Sequence, residues 1–362
     1  MARRSSLGSS LAGTPRQLGY RMPAEWEPHA ATWLAWPHNG DDWPGKLQAV
    51  SWVFTEIIRQ LTVGERVNLI IPQHKHEKAI AAQLDRARID TKQVSFFAAK
   101  TDRSWTRDYL PQFVIKGKGG KGALGAVKFR FNGWARYPDH KLDDLAGGMV
   151  ADGASQRWLP TVVGRRVVLE GGSIDVDGQG TLLTTERCLL GKPYQRNPGL
   201  NRNKIEQLLT EYLGAQHTIW LPDGIAGDDT SGHIDDLARF VAPGKVVVIA
   251  EKNKRDANYK VLANCKARLQ AARDAQGRKL EVIGLPMPAP LYFGADRLPA
   301  SYANFYIGNE TVLVPTFNDP ADRVALGILA ELFPKRRVVG IHAVELVLGL
   351  GTIHCSTQQQ PL

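Results

Sequence analysis

One order of elements recurs along this chain and limits what it can fold into: strand, hairpin, second strand, helix, third strand. The recurrences open at positions 108, 170, 233 and near 302. Asp108 heads a strand over 108–115; a Gly/Lys turn, a strand over 126–131, a helix over 142–150 and a strand over 166–169 follow. After Glu170-Gly171-Gly172, strands over 174–176 and 181–184 flank Asp177-Gly178-Gln179-Gly180, a strong hairpin signal. Ile205, Leu208, Leu209, Tyr212 and Leu213 then recur at helical spacing before a strand over 218–221. The third copy reads 233–241, 245–250, helix 258–272, 280–285; the fourth reads 303–307, 311–314, helix 320–333, 337–341.

A unit this short cannot complete a core alone and must pack on its neighbours. The N-terminal segment supplies a strand over 31–36, helices over 47–61 and 75–88, and strands over 67–71 and 94–97, but no first strand. Residues 352–355 supply a first strand with nothing after it. Joined, the two ends make a fifth unit, and a closed ring leaves no open sheet edge. The expected fold is therefore α/β: a five-bladed α/β propeller of ββαβ units with fivefold pseudo-symmetry, closed by both termini. An open α/β sheet is the alternative, and the many antiparallel hairpins argue against it.

Composition narrows the function. Of 362 residues, 43% are hydrophobic and 23% charged, as in soluble globular proteins. No apolar run is long enough to span a bilayer, so no membrane association is expected. Residues 1–20 carry Arg3 and Arg4 among Ser and Gly without the apolar stretch of a signal peptide; they read as a disordered tail before one domain over 21–362. The formal charge of +10 is scattered and accompanied by no nucleic-acid motif, so no nucleic-acid partner is expected. Three cysteines without paired spacing argue against a disulfide framework and a zinc ribbon, which points to a reducing cytoplasm.

The polar residues with no structural duty fall at the head of the first strand in each unit: Asp108, Glu170, His233 with Asp235, Asn304, and Cys355. Singly each has an ordinary reading: Asp108 as a strand-end ion pair, Glu170 as a loop carboxylate, Cys355 as a buried packing thiol. Cys188 and Cys265 sit in apolar contexts and read as packing. His233 and Asp235 alternate along the expected strand and so face one side. A ring brings all five heads to one axis, forming an acidic pocket with one thiol and one imidazole. Carboxylates suit a planar cation, and guanidinium is the group that carboxylates hold bidentately. Cys355 would attack its central carbon, and His233 would protonate the departing ammonia and then activate water. Glu170 would orient the imidazole. The scheme needs no metal and no cofactor.

The motifs Trp33-Leu34-Ala35-Trp36-Pro37, Trp105-Thr106-Arg107-Asp108, Phe131-Asn132-Gly133-Trp134, Leu169-Glu170-Gly171-Gly172-Ser173, Gly232-His233-Ile234-Asp235, Tyr302-Ala303-Asn304-Phe305-Tyr306 and Ile353-His354-Cys355 carry a resemblance over nearly the whole chain. The sequence resembles the agmatine deiminases, within the bacterial-type peptidylarginine deiminase family and the wider guanidine-modifying (pentein) superfamily. The resemblance implies hydrolysis of agmatine to N-carbamoylputrescine and ammonia through an S-amidino intermediate on Cys355. It implies His233 as acid and base with Glu170 beside it, and Asp108 and Asp235 as guanidinium binders. Trp105 would line the channel, Asp229 would meet the free amine, and Asn304 would stand with the substrate-binding set. Homodimers or higher homo-oligomers are common in the family. The chain departs from it at Asp229, usually Glu, at Gly349-Leu350-Gly351-Thr352, usually three glycines, and at Ser231 and Asp236. Two other readings stay open: a deiminase of free arginine or C-terminal peptidylarginine, with Arg136 meeting the carboxylate, and a non-catalytic guanidine or polyamine binder.

Overall fold

The computed structural model describes residues 13–117 and 123–362. It is an α/β fold in which five sheets share one plan. Four consist of an antiparallel pair whose second strand is joined through a helix to a parallel third, since only a crossover can connect parallel neighbours. They are Gln112–Lys116, Ala123–Val127 and Gln156–Trp158 with helix Lys141–Asp152; Asp175–Val176, Thr181–Thr185 and His217–Leu221 with helix Arg202–Leu213; Ala238–Ala242, Lys245–Ala250 and Glu281–Pro286 with helix Asn258–Ala271; and Tyr306–Ile307, Thr311–Thr316 and Arg337–His342 with helix Ala321–Leu332. The fifth sheet holds His29–Ala35, Arg66–Ile71 and Val94–Ala98 in parallel, with helix Leu47–Leu61 between the first two. The C-terminal strand Gln358–Pro361 completes it, antiparallel to His29–Ala35, with Trp33 opposite Gln358 and Thr32 opposite Gln359.

The helices form where apolar spacing demands them. In Leu47–Leu61 the buried positions Val50, Val53, Phe54, Ile57, Ile58 and Leu61 lie three or four residues apart, giving one stripe against the sheet. Helix Arg202–Leu213 starts at Asn201, whose side chain accepts from Lys204 N, and stops at Gly214 in the left-handed region at φ 77°. No helix among the described residues is long and apolar enough to cross a membrane.

Several local expectations are corrected. The tail expected over 1–20 splits: residues 1–12 lie outside the described residues, while 13–20 turn back onto the fold. Tyr20 is buried and meets Trp158 edge-on at 5.1 Å, and Arg16 N donates to Glu211 O at 3.1 Å. Tyr20 and Met22 give this segment an apolar anchor that a tail would lack. The Gly/Lys turn after the first strand falls mostly on 118–122, outside the described residues. The parallel strand expected over 166–169 is Gln156–Trp158, and Arg165–Arg166 forms a small hairpin with Thr161–Val162 instead. The most consequential correction lies at the strand heads. Asp108 stands on the short helix Thr106–Tyr109, Glu170 precedes a 3-10 turn at Gly171–Ser173, and His233 precedes another at Ile234–Asp236. The strand expected over 352–355 is a turn, and pairing begins only at Gln358.

Candidate active site

Tight turns just before the strands bring the predicted residues together. Arg107 N donates to Cys355 O at 3.1 Å, locking the Asp108 turn to the nucleophile candidate's own backbone. Gly172 N donates to Asp108 Oδ1 at 3.0 Å, locking it also to the Glu170 turn. A side chain at Gly172 would not fit: a Cβ there would stand 2.5 Å from His233 Nδ1 and 2.8 Å from Asp108 Oδ1. Asn304 shapes the Cys355 turn. Its Oδ1 accepts from Thr352 Oγ1 at 2.7 Å, His354 N at 3.0 Å and Cys355 N at 3.3 Å. Its Nδ2 donates to Asp236 Oδ1 at 2.9 Å and to Cys355 Sγ at 3.2 Å.

His233 and Asp235 do not alternate along a strand as expected, yet the 3-10 turn still sets His233 Nδ1 4.0 Å from Asp235 Oδ1. The same nitrogen lies 3.8 Å from Asp108 Oδ1, and Nε2 lies 3.9 Å from Glu170 Oε2. Both ring nitrogens, Asp235 Oδ1 and Glu170 Oε2 are buried without a hydrogen-bond partner among the described residues. Cys355 Sγ approaches Asp235 Oδ2 at 3.6 Å, so Asp235 touches thiol and imidazole alike.

Burial disfavours charge on every group here, and neighbours decide the outcome. Glu170 would be pushed up by burial, but Arg196 and His233 reverse this and hold it at about 2. Asp108 is pushed to about 6 by burial and by Asp235 and Glu170, against the pull of His233. Burial opposes charge on His233, yet Asp108, Cys188 and Glu170 carry it well above the ordinary imidazole value. Burial and the carboxylates Asp235, Asp236 and Asp108 push the Cys355 thiol well above its ordinary value. Without a cation between them, these groups hold an imidazolium and a protonated thiol.

Cys355 and Asp108 line a cavity of about 230 Å³ whose wall includes Trp105, Trp134, Tyr137, Asp42, Arg103, Asp229, Gly349 and Gly351. Trp105 and Asp229 thus both stand on the wall of this cavity. Trp134 Nε1 donates to Asp108 Oδ2 at 2.8 Å, and Tyr137 Oη donates to Asp229 Oδ2 at 2.6 Å. Gly349 and Gly351 let the chain press on indole rings: a Cβ at either would fall within 3.0 Å of Trp105.

Sequence reasoning missed the support beneath the cluster. His354 Nδ1 faces Asp235 Oδ2 at 2.7 Å and its Nε2 faces Glu25 Oε2 at 2.8 Å. Glu25 is held in turn by Arg107 at 3.2 Å and Arg239 at 2.9 Å, and Arg239 Nε reaches Asp175 at 2.8 Å. The signal available was a basic residue beside two of the motif residues, Arg107 next to Asp108 and His354 next to Cys355. Arg196, which donates from Nε to Glu170 Oε1 at 2.8 Å, carried no such signal. Cys188, expected to be packing alone, is fully buried but also offers its sulfur beside Glu170 and His233, the three ligand atoms lying within 4.8 Å of one another. A thiol, an imidazole and a carboxylate are a donor set that zinc takes, although Arg196 already occupies Glu170 Oε1.

The α/β scaffold thus gathers a buried thiol, an imidazole and several carboxylates beside an acidic cavity, the groups that thiol chemistry on a planar cation would use. The chain belongs to the Porphyromonas-type peptidyl-arginine deiminase family, whose profile matches residues 21–361. It is 39% identical to the agmatine deiminase of Stutzerimonas stutzeri, over 98% of each chain. Its structure resembles the Enterococcus faecalis agmatine deiminase, with a TM-score of 0.87, 34% identity and coverage of 97% and 98% of the two chains. It also resembles a cysteine-to-serine variant of the C. jejuni agmatine deiminase with substrate bound, with a TM-score of 0.83, 29% identity and coverage of 95% and 96%.

Proposed function

We propose that this protein hydrolyses agmatine to N-carbamoylputrescine and ammonia, with Cys355 as nucleophile. The observation that carries the reading is Asp235 reaching both Cys355 Sγ at 3.6 Å and His233 Nδ1 at 4.0 Å, beside Asp108 on the cavity wall. The guanidinium lies between Asp108 and Asp235 and offsets their negative charge. That cation reverses the electrostatics that keep the thiol protonated, so substrate binding itself drives the thiol proton out to solvent and generates the thiolate. Sulfur adds to the guanidine carbon, giving a tetrahedral adduct. His233, charged in the free protein, protonates one amino group, the C–N bond breaks, and ammonia leaves. The neutral imidazole then takes a proton from water as its oxygen adds to the S-amidino carbon. The C–S bond breaks as the hydroxyl of this second adduct passes its proton to the departing sulfur, leaving the carbamoyl product and restoring the Cys355 thiol. Glu170, ionised beside Arg196, keeps the imidazole oriented and stabilises its charged form. Asn304 holds the sulfur and the turn that carries it.

The same reading takes the five sheets as five blades of an α/β propeller. Support comes from their shared topology and from the pairing of Gln358–Pro361 with His29–Ala35. Trp105 is the channel wall and Asp229 the amine receiver.

The test is ammonia and carbamoyl-product release from agmatine, free arginine and a peptide ending in arginine, with Cys355→Ser as control. Agmatine is the preferred substrate, and the variant folds with no turnover. A haloacetamidine reagent labels Cys355 in the wild type by mass spectrometry. Turnover of arginine with none of agmatine overturns the substrate assignment, and labelling at Cys188 instead overturns the nucleophile.

A further inference from the structure

Asp42 lines the same cavity as Cys355 and Asp229. Its carboxylate is 2% exposed, with one oxygen, Oδ1, meeting Arg103 Nη1. The other, Oδ2, is buried without a hydrogen-bond partner among the described residues. A buried carboxylate oxygen left unpaired is costly unless something arrives to meet it. Arg103 does not complete the pairing, because its Nη2 is taken by Asp139 Oδ2 at 3.0 Å and its guanidinium lies over the Tyr137 ring at 4.7 Å. Tyr137 in turn donates to Asp229, so Asp42, Arg103, Tyr137 and Asp229 form one continuous rim.

The charges on this rim do not cancel. Asp41, Asp42, Asp139 and Asp229 stand against Arg103 and Arg136. Asp42 feels the excess: burial pushes its carboxyl to about 7, with Arg103 pulling down and Asp139, Asp41 and Asp229 pushing up. Asp229 is also raised by burial. A carboxylate entering here would meet Asp42 and Asp229, with Arg103 already carrying Asp42 and Asp139 and Arg136 giving one donor to Asp229 O at 3.4 Å. An ammonium would relieve the repulsion and satisfy the orphaned oxygen.

We propose that Asp42 is a second receiver, with Asp229, for the distal ammonium of the substrate, so that the cavity selects amine-terminated guanidines over guanidines ending in a carboxylate. The assignment rests on the agmatine reading, and adds to it a specificity residue from a segment far from the Asp229 loop.

The experiment compares kcat/KM on agmatine and on n-butylguanidine, which lacks the amine, for wild type, Asp42→Asn and Asp42→Glu. Asp42→Asn lowers kcat/KM on agmatine about 10- to 100-fold, the range of a lost charged hydrogen bond, and leaves n-butylguanidine within about 2-fold. Asp42→Glu keeps the charge and restores part of the preference. In the wild type the agmatine-to-butylguanidine ratio climbs with pH through the neighbourhood of 7 as Asp42 ionises; groups that act on both substrates cancel in the ratio. Equal losses on both substrates, or none on either, overturn the proposal and leave Asp42 an anchor for Arg103. A wild-type ratio flat across that pH range overturns it independently of any variant's folding. A wild type inert to agmatine but active on another guanidine overturns the underlying reading instead, before any variant is measured.

Discussion

Glu170 is a carboxylate with no access to water, ionised because Arg196 donates to one oxygen at 2.8 Å and His233 faces the other at 3.9 Å. Its folded value of about 2 lies below the ordinary 4.5, so the pairing stabilises the fold above the ordinary value and is lost as pH falls through about 2. That window is the acid limb of stability, on the order of 3 kcal/mol for this group. Glu170→Ala strands Arg196 as an unpaired buried charge and costs about 3–5 kcal/mol, read as a shift in urea midpoint. Glu170→Gln keeps the shape, loses less stability, and removes part of the acid sensitivity; equal losses for both would show that charge is not what the pair supplies. At this scale the site was largely legible, because Cys355, His233, Glu170 and Asp108 are chemically unlike their apolar surroundings. Glu25, Arg196 and Arg239 were not, because their work is to balance other charges, and that depends on who stands beside them in space.

Elements were legible in proportion to how much periodicity they carry. Helix Leu47–Leu61 was read at its full bounds from its apolar stripe, and Arg202–Leu213 nearly so. The turns that carry the chemistry have no period: Gly171–Ser173 and Ile234–Asp236 are three residues each, too short to repeat anything, and they read as strand starts. Their glycines held the missing information. Gly172 lets two turns close until its Cα faces His233 and Asp108, and its amide donates to Asp108 at 3.0 Å. Gly172→Ala places a methyl 2.5 Å from His233 Nδ1 and 3.1 Å from Asp235 Oδ2, so these side chains must shift within the proposed guanidinium site. Displacements of about 1 Å cost catalysis about 100-fold, while side-chain ends yield more cheaply than backbone. Gly172→Ala therefore loses about 100-fold or more in kcat/KM with a small fall in melting temperature. A variant with full activity would show that the imidazole and carboxylates need not hold this spacing.

Across the whole molecule, the first and last strands depend on each other. Gln358–Pro361 pairs with His29–Ala35, Leu362 N donates to Pro28 O at 3.0 Å, and Trp33 Nε1 donates to Gln360 Oε1 at 2.8 Å. The same segment reaches inward, where Gln359 Oε1 accepts from Arg107 Nη1 at 2.7 Å beneath Asp108, and Gln358 Nε2 donates to Pro111 O. Glu25 and His354, from opposite ends of the sequence, meet at 2.8 Å behind Asp235. A chain that stores its site in the contact between its ends cannot be shortened at one end without disturbing the other. Deleting 358–362 exposes the unpaired edge of His29–Ala35, a template for association with another chain, and leaves buried Arg107 without one of its partners. The truncated protein melts well below the full chain, exposes aggregation-prone surface by dye binding, and releases no ammonia. Deleting Leu362 alone removes one backbone bond and none of the inward contacts, and it keeps most of the activity. If the longer deletion melted with the full chain, the edge pairing would contribute nothing to stability, and the meeting of Glu25 and His354 would have to be maintained by the interior network alone.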